Sequence, residues 1–141
     1  MQTIIPLKIF VSCVYYDESG EKFDELSLKT NGCLKKKENK HRILYKDGGE
    51  KNQIFTELIF CEGEASLIVN KTGDAECNMV FTPDKSHSFL YRLSNYSFDA
   101  EIYTHSLYND MSENGGSITV VYSLMLGGQK QKISMKILAD A

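Results

Sequence analysis

No run of apolar residues in this chain approaches the roughly 18 that a membrane-spanning helix needs. The opening stretch, Met1 to Lys8, has no basic segment followed by an apolar one. Neither a helical membrane span nor a secretory signal is therefore expected. Basic charge is not in excess either: 16 Lys and Arg stand against 19 Asp and Glu, giving a net charge of −3. A nucleic-acid binder draws affinity from neutralising phosphates and usually carries a basic surplus, so this balance argues against nucleic acid as a partner. The four cysteines, Cys13, Cys33, Cys61 and Cys77, form no C-x-x-C pair, and the three histidines show no metal-ligand spacing to each other or to them. No metal site or other cofactor is expected. With no export signal, the cysteines read as reduced thiols, which places the expected location in the cytoplasm. Long helical periodicity, internal repeats, linkers and low-complexity tracts are missing as well. That leaves one domain over residues 1–141, long enough to bury about two-thirds of its surface without a covalent staple.

What is present is alternation with a period of two, and it is clearest near the C-terminus. Ile118, Val120, Tyr122, Leu124 and Leu126 share one face; Thr119, Val121, Ser123 and Met125 share the other. Gly127-Gly128 follows, a dipeptide that tolerates the positive φ angles of a two-residue hairpin turn. The return segment puts Gln131, Ile133, Met135 and Ile137 on one face and Lys130, Lys132, Ser134 and Lys136 on the other. This turn predicts a register of Leu126 opposite Gln129, Tyr122 opposite Ile133, Val120 opposite Met135 and Ile118 opposite Ile137. A slip of one residue would bury the lysines.

The N-terminal half repeats the design. Leu7, Ile9, Val11, Cys13 and Tyr15 alternate with more polar neighbours, and Asp17-Glu18-Ser19-Gly20 reads as a turn. Leu26, Leu28 and Thr30 share a face, and Asn31-Gly32 is expected to break that strand. Further strands are expected near 33–37, 41–46, 53–60, 64–71, 76–82, 87–94 and 97–108, with turns at Asp47-Gly48-Gly49, Glu62-Gly63, Lys71-Thr72-Gly73-Asp74, Pro83-Asp84, Asn95 and Asn109 to Gly116. Short strands at about ten-residue spacing describe a meander. A closed antiparallel up-and-down β-barrel of about 8–10 strands removes exposed edges and suits that regularity. A two-sheet sandwich is the alternative, although it normally requires longer crossings.

Several segments, in order, resemble the YwiB-like bacterial proteins, a calycin-like (lipocalin-like) β-barrel family of undefined function. Asp24-Glu25-Leu26-Ser27-Leu28-Lys29-Thr30-Asn31-Gly32 is similar to the family's acidic-start strand ending in Thr-Glu-Gly. Tyr45 with Lys46-Asp47 resembles its Leu-x-Tyr-Glu-Glu segment, and Thr56-Glu57-Leu58-Ile59-Phe60 its Thr-Thr-Leu-Lys-Ile strand. Leu67, Val69, Lys71 and Gly73 fall on its Val-x-Leu-x-Arg-x-Gly pattern. Met79-Val80-Phe81 and the Ile118-x-Val120-x-Tyr122-x-Leu124 hairpin follow. The resemblance implies the barrel and, since fold does not dictate function, no activity.

Barrels of this size can enclose a small cavity with a few polar groups placed to orient a ligand. Lys71 is in phase with Leu67 and Val69, which would turn it inward as a cation for a carboxylate or phosphate. Because lysine is rarely buried unpaired, the favoured alternative has it snorkelling out at the strand end. Tyr45 and Tyr122 are the tyrosines expected inside, either as pocket walls with a usable hydroxyl or as ordinary core. Leu28 and Val69 complete the expected lining. Arg92 reads as a solvated outer residue. His41, His87 and His105 read as surface or barrel-mouth residues.

The leading reading is a non-enzymatic barrel that binds a small, partly apolar ligand, an anionic one included. The second is an accessory module that docks a protein or RNA through Lys35, Lys36, Lys37, Lys40 and Arg42, a run that also suits a solvated turn. An enzyme using His105 or His87 is the third, with no constellation compelling it. Nothing in the sequence specifies an oligomeric state.

Overall fold

Alternation on this scale leaves each strand one greasy face, and the cheapest way to dry ten such faces at once is to wrap them round a common axis. The computed structural model describes residues 2–47 and 53–141 and has that form. Ten strands run in chain order: β1 (Thr3–Tyr16), β2 (Lys22–Lys37), β3 (Lys40–Asp47), β4 (Ile54–Cys61), β5 (Leu67–Gly73), β6 (Ala75–Phe81), β7 (Ser86–Leu93), β8 (Tyr96–Asn109), β9 (Gly115–Leu126) and β10 (Gln129–Asp140). Each pairs antiparallel with the next, and β1 pairs with β10 to close the barrel. The sandwich alternative is excluded. No helix occurs among the described residues.

The β9–β10 hairpin has the register expected from its turn, with Leu126 opposite Gln129, Tyr122 opposite Ile133, Val120 opposite Met135 and Ile118 opposite Ile137. Gly127 and Gly128 both take positive φ, 59° and 81°. The lysines of β10 lie on the outer face, while Ile133 and Ile137 are buried.

Three expectations are corrected. Asn31-Gly32 does not end a strand, because β2 runs unbroken from Lys22 to Lys37. Gly32 is instead where β2 and β3 begin to pair, opposite Tyr45. A Cβ at this position would overlap the Leu44 carbonyl oxygen and lie 2.6 Å from Ile9 Cδ1. The glycine thus permits a close approach of two strands rather than a turn. Second, β5 starts at Leu67 rather than near residue 64 and continues to Gly73 rather than ending at Lys71, so Lys71 lies inside the strand and not at its end. Third, His41 is 1 % exposed and stacks on Phe60 at 5.0 Å, where a surface or barrel-mouth position was expected. It falls on the inner face, in phase with Ile43 and Tyr45. The expected turn glycines Gly48 and Gly49 lie outside the described residues.

Sequence periodicity also misses a bulge in β8. Thr104 pairs with Tyr122 and Ser106 with Val121, which leaves His105 as an extra residue. Beyond it the inward phase shifts from Ile102 and Thr104 to Leu107, and His105 joins Ser106 on the outer face.

The barrel is packed unevenly along its axis. Leu34, Ile43, Leu58, Leu67, Phe81, Ile102, Ile118 and Ile137 are fully buried and fill one end. At the other end, inner-face residues open to solvent. Leu26 pairs with buried-face Cys13, Leu93 with Ala75, and Phe98 with Tyr91, yet the three are 56 %, 44 % and 39 % exposed. The result is a barrel with a solid base and an apolar-lipped mouth.

Candidate functional site

Residues directly opposite one another on antiparallel strands share a face. Following that rule round the wall gives one transverse row: Gly32, Tyr45, Thr56, Lys71 and Cys77. The row beneath it, Leu34, Ile43, Leu58, Val69 and Met79, is core. Lys71 thus stands on the boundary between the packed base and the open mouth. Its ammonium donates to Asp47 Oδ2 at 2.6 Å and to Thr56 Oγ1 at 3.0 Å. The favoured expectation that Lys71 snorkels to water is therefore overturned. An inward carboxylate one row nearer the mouth supplies the partner that makes burial of a lysine tolerable.

Other titratable groups gather round the pair. Burial pushes the Cys13 thiol up, and the nearby Lys71 charge acts in the opposite direction. Cys77 behaves in the same way. Burial raises the Tyr91 hydroxyl and takes that of Tyr15 to about 12. The Tyr45 and Tyr122 hydroxyls are driven higher still, again chiefly by burial, with the Asp47 charge adding to the effect at Tyr45. Tyr122 rests on Phe81 with ring centroids 4.8 Å apart. A recess of about 570 Å³ against this part of the wall is lined by outer-face Leu44, Lys46, Phe55, Glu57, Asn70 and Thr72 together with Tyr45, Thr56, Lys71 and Cys77 of the inner row.

Of the residues singled out in the sequence, Tyr45 and Lys71 lie side by side in one row. Tyr122 faces the same interior from β9, where Cys13, Tyr15, Cys77 and Tyr91 act on its hydroxyl electrostatically. Leu28 is half-buried on β2, on the mouth side of Gly32, and packs against the core. Val69 is 2 % exposed and forms part of the layer below Lys71. Asp47, Thr56, Cys13, Cys77 and Tyr91 were not picked out. The available signal was phase: Asp47 alternates with Ile43 and Tyr45, and Thr56 with Leu58 and Phe60.

The raised thiols and phenols carry a prediction for alkaline stability. These groups are neutral in the folded barrel, whereas in the unfolded chain they lose protons from their ordinary values of 9.0 and 10.0. Above those values the unfolded state binds fewer protons than the native one, so stability falls as pH rises. The stabilisation is complete below about pH 9 and drains away through pH 12 and beyond. In a titration followed by tyrosinate absorbance, several of the eight tyrosines should ionise only together with loss of the far-ultraviolet β-signal. Smooth ionisation of all of them in an intact fold would contradict the burial described.

Two further arrangements lie on the outside. His105 Nε2 is 2.7 Å from Ser123 Oγ in a groove of about 760 Å³ that also borders Tyr16, Met125, Lys130 and Lys132. The nearby lysines and partial burial hold the imidazole below its ordinary value, burial being the larger cause. A histidine does therefore reach a hydroxyl. Among the described residues, however, no carboxylate hydrogen-bonds its other nitrogen to orient it, as a nucleophilic triad would require. His87 lies 3.3 Å from the Asn78 carbonyl oxygen, beside the β6–β7 seam, whose pairing is confined to Ala75 with Leu93 and Glu76 with Arg92. Arg92 is exposed and bridges to Glu76, as its outer phase suggested. The basic run is divided: Lys36 pairs with Glu62 and Glu113, and Arg42 with Glu57.

These features define a class, the closed ten-stranded up-and-down barrel whose interior is solid at one end and polar-ringed at the other. The chain belongs to the family described as a domain of unknown function, DUF1934, whose model matches residues 11–137. It is 23 % identical over 133 residues to the uncharacterized beta-barrel protein YwiB of Bacillus subtilis (strain 168), covering 94 % of this chain and 91 % of that protein. The crystal structure of the B. subtilis ywiB protein matches with a TM-score of 0.86 at 22 % identity, over 98 % of this chain and 92 % of that one. The family resemblance read from the sequence is thus the one the comparisons return. At this identity the structural likeness establishes the fold alone.

Proposed function

We propose that this protein is a non-enzymatic binding barrel of the calycin type, which holds a small, partly apolar ligand in its mouth with an acidic group directed at Lys71. The observation that carries this reading is Lys71 itself, an inward ammonium at the floor of an apolar-lipped opening. A ligand site of this kind needs mostly apolar walls and a few polar groups that fix orientation. Leu28, Tyr15, Tyr91 and the exposed lip supply the walls. Lys71, Thr56 and the hydroxyls of Tyr45 and Tyr122 supply the orienting groups. Asp47 already holds Lys71, so an anionic ligand enters by taking over part of that hydrogen bonding.

Asp47 is therefore a built-in competitor, and this gives the test. Anilinonaphthalene sulfonate, apolar with a single anionic group, serves as the probe. Lys71→Met is expected to weaken its binding about ten-fold, the worth of one charge-assisted hydrogen bond. Asp47→Asn is expected to tighten it by several-fold, because the competing charge is gone while the fold keeps a hydrogen-bonding group. Equal affinity in all three proteins would sink the proposal. Native mass spectrometry of gently purified protein should in addition show a small molecule carried over from the cell.

A further inference from the structure

Closing a barrel normally leaves no free strand edge, but here one strand outruns its neighbour. β2 begins at Lys22, and its pairing with β3 begins only at Gly32. Among the described residues, nothing pairs with the side of β2 away from β1 between Lys22 and Asn31. Over this stretch the strand is largely exposed, Phe23 at 57 % and Leu26 at 56 %. Alternate residues there turn backbone N–H and C=O groups outward, which makes a template for another strand. The β6–β7 seam is also thinly paired, but its two strands stay adjacent and no foreign strand fits between them.

Charges on an edge usually discourage pairing, so the question is which strand these particular charges would accept. The segment Phe23-Asp24-Glu25-Leu26-Ser27-Leu28-Lys29-Thr30-Asn31 answers for itself. In an antiparallel pairing of two copies centred on Ser27, Glu25 of each faces Lys29 of the other on the outer side. Leu26 of each faces Leu28 of the other on the inner side. No like charges stand opposite one another in that register. Cross-strand opposite-charge and aliphatic pairs of this kind are the units that stabilise a sheet. Among the described residues, Glu25 is held by an ion pair to Lys22 on its own strand. Exposed pairs of that kind are weak.

We infer that the exposed edge of β2 is a self-recognition surface, by which two copies of this chain join their β1–β2 hairpins into one continuous sheet through Glu25–Lys29 pairs and a Leu26–Leu28 cluster. The interface is isologous, so each substitution acts twice. Sedimentation velocity over a range of concentrations is expected to show a monomer–dimer equilibrium. Glu25→Lys and Lys29→Glu are each expected to weaken it at least ten-fold or so, by placing like charges opposite at two positions. Both side chains point to solvent, so thermal midpoints should be unchanged. An equimolar mixture of the two variants should regain the dimer. One variant then presents only ammonium groups at these two positions and the other only carboxylates, so opposite charges meet at both. The chain carrying both substitutions should likewise dimerise with itself, its charges being exchanged but still complementary. A wild-type protein that stays monomeric at every concentration overturns the inference. So does a dimer indifferent to both substitutions, or a mixture that stays monomeric.

Discussion

Phe81→Ala is expected to lower the thermal unfolding midpoint by roughly 10–15 °C, from a loss of about 3–5 kcal/mol at some 3 °C per kcal/mol for a domain of this size. Phe81 is fully buried on β6, opposite Leu67, and its ring supports that of Tyr122. Truncation removes the buried ring and leaves a void whose walls are β-strands tied into a closed sheet. Such walls cannot collapse inward without breaking register, so little of the void is refilled. Calorimetry of the purified variant is the measurement. A loss under about 1 kcal/mol, well below the usual cost of such a truncation, would mean that the base of the barrel is not the packed core described here. Lys71→Met, two rows nearer the mouth, should by contrast alter probe binding far more than stability.

Gly32→Ala tests a different link, because local preference and tertiary contact predict opposite signs. A strand glycine replaced by alanine ordinarily gains about 0.5–1 kcal/mol in backbone entropy. At Gly32 the added methyl would strike the Leu44 carbonyl oxygen and Ile9 Cδ1, with Tyr45 Cβ at 3.1 Å. The isoleucine tip can rotate away, but the carbonyl belongs to the strand that pairs with β2 at this point. The expected outcome is a net destabilisation of about 1–3 kcal/mol or more, together with weaker probe binding, since Tyr45 moves with its strand. Chemical denaturation read alongside the probe titration checks both. An alanine variant as stable as the parent would show that β2 and β3 do not approach so closely.

Much of the fold was legible because it depends on period-two patterning and turn chemistry, which are local. The β9–β10 register followed from Gly127-Gly128 and the alternating lysines alone. The interior position of Tyr45 and Tyr122 followed from phase in the same way. Where sequence and structure part, a distant partner has intervened. Gly32 looked like a turn residue because nothing in its own strand shows that Leu44 and Ile9 press against it. His41 looked like a surface residue because it follows a lysine-rich run, yet the barrel wall brings Phe60 over it. The bulge at His105 escaped because one extra residue shifts phase without leaving a compositional mark. Lys71 was the sharpest case: its phase pointed inward, while the general cost of burying an ammonium argued outward.

By itself, then, the sequence determined that strands would form, which face of most of them would be apolar, and that successive strands would pair as a meander. These are consequences of side-chain alternation and of short turns, and they hold whatever lies across the barrel. The sequence favoured closure over a sandwich, and the β1–β10 pairing of the structure decided it. Only the tertiary structure decided what Lys71 does, because its fate depends on Asp47 and Thr56, 24 and 15 residues away in the chain. A buried charge is tolerated or expelled according to whether a counter-charge stands within hydrogen-bonding reach, and that distance is set when the wall closes.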